Sequence, residues 1–120
     1  MLSELSYIAA PYSHKDKSVI ELRMQTLLKA DADLTVRLRK ITVTPLSKHF
    51  ILSFEDIPGD WGYWERYSKH LLDQCKEMII IGIAGWDTST GVAGEIEYAR
   101  KLGIPVYLYN IDTKEISEYV

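Results

Sequence analysis

Apolar and polar positions along this chain alternate between two periods. "LSYIAAPYS" begins as a short apolar run and breaks at Pro11, which predicts a strand running into a loop. From Asp16 to Lys40 the period lengthens: Ile20, Met24, Leu27, Leu34 and Leu38 recur at helical steps, with Asp31 as a polar flaw in the stripe. "ITVTPL" predicts a second strand, closed by Pro45. "SKHFILSFEDIPGD" is irregular, with a turn at Pro58-Gly59. Asp60 is a good N-cap for a helix reaching about Lys76, supported by Glu65 and Lys69 one turn apart. "EMIIIGI" is continuously apolar and β-branched, as expected of a strand covered on both faces. A polar turn, a helix from about Gly91 to Leu102, Gly103 as its C-terminal stop and a strand "IPVYLYN" follow.

The order β-α-β-α-β-α-β predicts an α/β fold: one domain over 1–120, a Rossmann-like or flavodoxin-like open parallel sheet with helices on both faces. Ligands of such sheets sit beyond the carboxyl ends of the strands. The loops "APYSH" and "AGWDTST" qualify by position.

The last helix raises the chemical question. At about 100° per residue, Leu102, Ala99, Val92 and Ile96 form one apolar stripe. Glu95 falls inside it, and Glu97 falls on the opposite side beside Lys101. A buried carboxylate needs partners or a cavity. The plain alternative is that Glu95 lies at the stripe's edge and reaches solvent or a lysine. Before it, Asp87, Thr88, Ser89, Thr90 and Gly91 form a small polar turn at a helix start, fit either for simple capping or for binding a phosphate or carboxylate. Neither a Walker loop nor a dinucleotide G-x-G-x-x-G is present.

Composition narrows the classes. Net charge is -3, so no basic face argues for a nucleic-acid polymer. Cys75 is the lone cysteine, which excludes an intrachain disulfide and fits a reducing compartment. Without a signal-like start or an apolar run long enough to span a bilayer, a cytoplasmic location with no membrane partner is expected. The three histidines lack metal-ligand spacing, so no metal and no cofactor is expected. Cys75 reads as an inert core thiol, and Trp61 and Trp64 as core or subunit contacts. Trp86, in the key loop, is open to stacking on a base. His14 reads as a solvated loop histidine, with a general-acid or phosphate contact as its alternative.

"YIAAPYS", "AGWD" and Ser89-Thr90-Gly91-Val92-Ala93-Gly94-Glu95 followed by Ala99, together with Gly59-Asp60-Trp61-Gly62-Tyr63-Trp64, resemble the nucleoside 2-deoxyribosyltransferase superfamily. The similarity is greatest to a small bacterial and phage branch, and the chain is also similar to 2'-deoxynucleoside 5'-phosphate N-hydrolases. It covers nearly the whole chain. It implies cleavage or transfer of the N-glycosidic bond of a deoxynucleoside or its 5'-monophosphate. Glu95 would be the nucleophile, Tyr7 its neighbour from the first strand, and Ser89 a holder of the 5'-phosphate.

Gly91, Asp87, Trp86, Ala9, Pro11, Ser13 and His49 fall at matching loop or strand-end positions and are expected to line the site, with Ser47 beside them. Ser68 occupies the position where the superfamily usually has an aspartate, and Asp73 projects elsewhere. The resemblance also implies a homo-oligomer; larger members finish the site with later residues, often from a partner subunit, whereas here only "IDTKEISEYV" follows the last expected strand. Two further readings stand beside this one: a nucleotide-binding module with weak or no turnover, which the serine at 68 favours, and an assembly protein whose tryptophans serve an interface.

Overall fold

A computed structural model describes residues 3–51, 54, 58 and 60–120. β1 (Leu5–Ala9) leads through a loop into α1 (Lys17–Val36). Asp16 starts that helix by accepting a hydrogen bond from the amide of Ser18. β2 (Ile41–Val43) is short and passes into a 3-10 segment, Pro45–Ile51. α2 (Trp61–Leu72) is capped by Asp60 and runs into β3 (Cys75–Ile81). A 3-10 turn at Trp86–Thr88, α3 (Thr90–Leu102), β4 (Val106–Tyr109) and β5 (Ile116–Glu118) complete the described chain.

The strands form one sheet in the order β2-β1-β3-β4-β5. The first four are mutually parallel and β5 is antiparallel to β4. The expected α/β class, with an open and mostly parallel sheet, is therefore observed. Alternation along the strands splits the core in two. Ile8, Ile79 and Ile81 pack with Met24, Leu27, Ala30 and Leu34 of α1 on one face. Tyr7, Ala9, Met78 and Ile80 pack with Leu72 of α2 and Val92 and Ala99 of α3 on the other. Every residue of β3 from Met78 to Ile81 is buried, which is why that run carries no polar alternation.

Four expectations need correction. α2 stops at Leu72, short of Lys76, because Cys75 and Lys76 are already extended in β3, where Cys75 pairs with Leu5. β5 was absent from the expected order. Its three residues carry one apolar side chain, too little pattern to read. A tight turn returns it to β4: the Asn110 side-chain oxygen accepts from the amides of Asp112 and Thr113, and Lys114 adopts φ 62°. Leu102 is exposed rather than part of the buried stripe of α3. α1 ends at Val36 rather than Lys40, with Arg39 at φ 54° turning the chain into β2.

The polar flaw at Asp31 is explained by β2. Its carboxylate accepts a 2.5 Å hydrogen bond from the Thr42 hydroxyl, so the residue is half-buried yet satisfied. The turn at Pro58-Gly59 lies only partly within the described residues, since Gly59 is outside them.

Candidate functional site

The strand order reverses between β1 and β3, which opens a crevice at their carboxyl ends. A cavity of about 790 Å3 lies there. Small-molecule sites run from roughly 300 to 1,000 Å3, so a nucleotide-sized ligand is within range. Its walls come from the loop after β1, the 3-10 segment after β2, the start of α2 and the start of α3.

Glu95 lies in this wall and is 6% exposed. α3 carries it inward because Val92 and Ala99, on the same side of the helix, are packed against the sheet. Tyr7 is fully buried on β1 and donates its phenolic hydrogen to Glu95 Oε2. Glu97 points outward, 3.4 Å from Lys101 Nζ.

Burial pushes the Glu95 carboxyl up to about 8, with the Tyr7 hydrogen bond acting in the opposite direction. Tyr7 is itself held well above its ordinary value, by burial first and then by the charge and hydrogen bond of Glu95. The Ser68 hydroxyl acts on it in the opposite sense. Ser68 is 2% exposed, lies in the cavity wall, and so shares a corner with Tyr7 and Glu95.

The N-terminus of α3 forms one side of the cavity. Ser89 caps it by accepting from the Val92 amide at 3.2 Å, which leaves its own hydroxyl hydrogen available to a ligand. Gly91 lies beside it. A Cβ there would meet its neighbours only at 3.8 and 3.9 Å, so packing does not demand glycine at this position. Gly94 is different. A Cβ there would fall 2.5 Å from the Trp61 ring, so the indole lies directly on α3 and joins α2 to it.

Of the residues expected at the site, Glu95, Ser89, Gly91, Ser68, Pro11, Ser13 and His49 all line the cavity, and Tyr7 reaches it through Glu95. Ala9 is buried behind it in the sheet core. Trp86 does not line it. Its ring packs edge-on against Tyr119, with centroids 5.4 Å apart, because β5 brings the C-terminal residues over that loop. Asp87 is exposed beside Trp86 and also lies outside the lining. Ser47 is exposed and donates to the Thr44 carbonyl, while His14 is exposed and accepts from the Asp16 amide. Asp73 accepts from the Tyr98 hydroxyl at the end of α2, away from the cavity.

Sequence reasoning missed Arg23, Tyr12 and Lys48, all in the cavity wall. Arg23 Nη1 donates to the carbonyls of Tyr12 and Ser13, which fixes its guanidinium at the loop after β1. Among the described residues no carboxylate lies within ion-pair distance of it. Its position on the edge of the α1 stripe was the only available signal. Among the described residues, no cluster of three or more His, Cys, Asp or Glu side chains could hold a metal ion. No helix among them is long and apolar enough to cross a membrane.

The arrangement combines one deeply buried carboxyl, a phenol on it, hydroxyl and amide donors at a helix start, a guanidinium from α1 and an ammonium from the 3-10 segment after β2. It can hold an anionic ligand next to a potential carboxylate nucleophile. No curated protein matches the chain. A family model described as "Domain of unknown function (DUF1937)" matches residues 4–111, and the chain belongs to that family.

Proposed function

We propose that this protein cleaves the N-glycosidic bond of a deoxynucleoside 5'-monophosphate, with Glu95 as the nucleophile. The observation that carries the reading is the buried Glu95, bonded to Tyr7, in the wall of a nucleotide-sized cavity beside the Ser89–Gly91 helix start. Support also comes from the resemblance to nucleoside 2-deoxyribosyltransferases in Ser89-Thr90-Gly91-Val92-Ala93-Gly94-Glu95.

In the first half-reaction the ionised Glu95 attacks the anomeric carbon as the C–N bond breaks, giving a glycosyl-enzyme. Water then hydrolyses it, or a second base accepts the sugar. Tyr7 orients the carboxylate and favours its ionised form. Ser89, the amides at the start of α3, Arg23 and Lys48 supply donors and positive charge for an anionic substrate. The active form is taken to be a homo-oligomer, as the same resemblance implies.

The test is to incubate the protein with a panel of deoxynucleosides and their 5'-monophosphates and to measure free base. Release by the wild type that is lost in Glu95→Ala is the expected result. No release, or equal release by both, rules the reading out.

A second reading has one observation in its favour. A carboxyl pushed up to about 8 is largely neutral at pH 7, and Ser68 offers no acid beside it. That pairing suits a pocket that binds a nucleotide without turning it over. Calorimetry showing nucleotide binding without base release selects it.

A further inference from the structure

The departing base must pick up a proton as the C–N bond breaks, and Ser68 cannot supply one. Glu95 is committed as nucleophile in the reading above, on which the following inference rests. The cavity wall also holds a connected chain of proton-carrying groups. The Tyr12 hydroxyl lies 2.7 Å from His49 Nδ1. On the far side of the same ring, His49 Nε2 lies 3.3 Å from the Glu21 carboxylate. Tyr12 comes from the loop after β1, His49 from the 3-10 segment after β2, and Glu21 from α1, so three separate elements converge. Tyr12 and His49 line the cavity, whereas Glu21 does not.

The packing fixes this chain's direction. Tyr12 meets the imidazole edge-on, with centroids 5.6 Å apart, and Phe50 closes on the ring at 5.5 Å. The Glu21 contact holds Nε2 outward, so that Nδ1 faces the phenol. Burial, with the Glu21 charge behind it, pushes the Tyr12 phenol up, so it remains an O–H donor near neutral pH.

We propose that Tyr12 and His49 form the proton-delivering pair of this site, with Tyr12 as the group that touches the leaving base and Glu21 as a positioning residue for His49. In the loaded form His49 carries both ring protons, Nε2–H on Glu21 and Nδ1–H on the Tyr12 oxygen. As the C1'–N bond breaks, its electron pair passes to the base nitrogen and a Glu95 oxygen bonds to C1'. Tyr12 gives its proton to the base and takes the Nδ1 proton of His49, which leaves a neutral imidazole. In the second half-reaction water attacks C1', the C1'–O bond breaks, and its pair returns to Glu95. The water proton travels back through Tyr12 to His49, which restores the starting state.

The test compares leaving groups. One substrate set is the four deoxynucleoside 5'-monophosphates, whose bases need a proton to depart. The other is the p-nitrophenyl 2-deoxyriboside 5-phosphate, whose nitrophenolate does not. Tyr12→Phe and His49→Asn are each expected to lower kcat on the nucleotides by about 10²- to 10⁴-fold, the usual contribution of a general acid. On the nitrophenyl substrate they lower it by no more than about threefold, and Glu21→Gln shows the same split with a smaller loss.

Equal losses on both substrates overturn the proposal, since they mark a disorganised site rather than a missing proton. So does full activity of both variants on the nucleotides. If Glu95→Gln still cleaves as the wild type does, or the wild type cleaves nothing, it is the nucleophile reading that fails and this inference falls with it. Activity lost in Glu95→Gln but unchanged in Tyr12→Phe and His49→Asn spares the nucleophile and removes only the proton pair.

Discussion

Among the described residues two carboxylates are buried, at opposite ends of the sheet, and they are treated in opposite ways. Glu77 sits near the start of β3 and is 7% exposed. Its Oε2 accepts from Lys40 Nζ at 2.8 Å and from the Ser6 hydroxyl at 2.5 Å. Burial alone would raise its carboxyl, but the hydrogen bonds from Lys40 and Ser6 and the lysine charge outweigh it, and the net shift is downward. Glu95, beyond the carboxyl ends of the strands, has a phenol and no cation beside it, and its carboxyl is pushed up to about 8. Nearly equal burial thus yields a compensated structural anion in one place and a costly, uncompensated carboxyl in the other. The difference lies in the partner: Glu77 is neutralised by a lysine and a hydroxyl, whereas Glu95 faces a cavity with a phenol as its hydrogen-bond partner and no counter-charge.

The largest effects should separate these two groups. Glu95→Gln is expected to reduce base release by on the order of 10³-fold or more, the scale seen when a covalent nucleophile is lost. The same variant should also change how stability depends on pH. In the wild type the folded carboxyl at about 8 stays protonated while the unfolded one, at 4.5, ionises. The unfolded state therefore binds fewer protons in this window, and stability contributed below pH 4.5 is lost as pH rises through about 8. Glu95→Gln removes that decline, so at pH 9 it should be more stable than the wild type, by on the order of 3–5 kcal/mol. Denaturant melts at pH 5 and pH 9 check this. A parallel decline in both proteins breaks the contrast.

Glu77→Gln should do the reverse. It leaves Lys40 without its counter-charge, at a cost of ~1–3 kcal/mol at pH 7, and base release is unchanged. Because the Glu77 carboxyl is lowered in the fold, the stability it contributes is present above its unfolded value and lost as pH falls through the folded one. The wild-type advantage over Glu77→Gln therefore shrinks in acid, which the same melts measure at pH 3.

Tyr7→Phe sharpens the comparison from the site itself. Tyr7 is the group whose hydrogen bond holds the Glu95 carboxyl down, so its removal moves the carboxyl further up. The rising limb of kcat/KM against pH, expected near 8 in the wild type, should shift to higher pH in the variant. An unmoved limb would mean that another group controls it.

The smallest effect is the most specific. Gly91→Ala has room in the fold and an ordinary helical φ, so it should stabilise the protein slightly, by ~0.4–1 kcal/mol. If a phosphate approaches the start of α3, the added methyl meets it, and KM for the 5'-monophosphate rises while KM for the bare nucleoside does not. Gly94→Ala is the control. It drives a methyl into the Trp61 ring and should cost ~1–3 kcal/mol whatever the substrate.

Period and punctuation alone determined the fold class, the four parallel strands, the cap at Asp60, the stop at Gly103 and the outward turn of Glu97. These are local quantities: a strand covered on both faces must be continuously apolar, and a helix repeats about every 3.6 residues. They left Glu95 either inside the apolar stripe or at its edge, and left the cap of α3 among Asp87, Thr88 and Ser89, and the structure decided both. What only the tertiary structure decided was which side chains meet. The pairing of Tyr7 with Glu95, expected on the resemblance though not legible in either pattern, is made across the fold, and Tyr12, His49 and Glu21 converge from three elements whose separate patterns carry no trace of one another. Trp86 was lost to Tyr119 for the same reason, since β5 is too short to signal itself. Chain spacing sets the face on which a residue lies, but the order in which strands assemble sets what lies opposite, and the charge and solvation of Glu95 depend on that opposite surface.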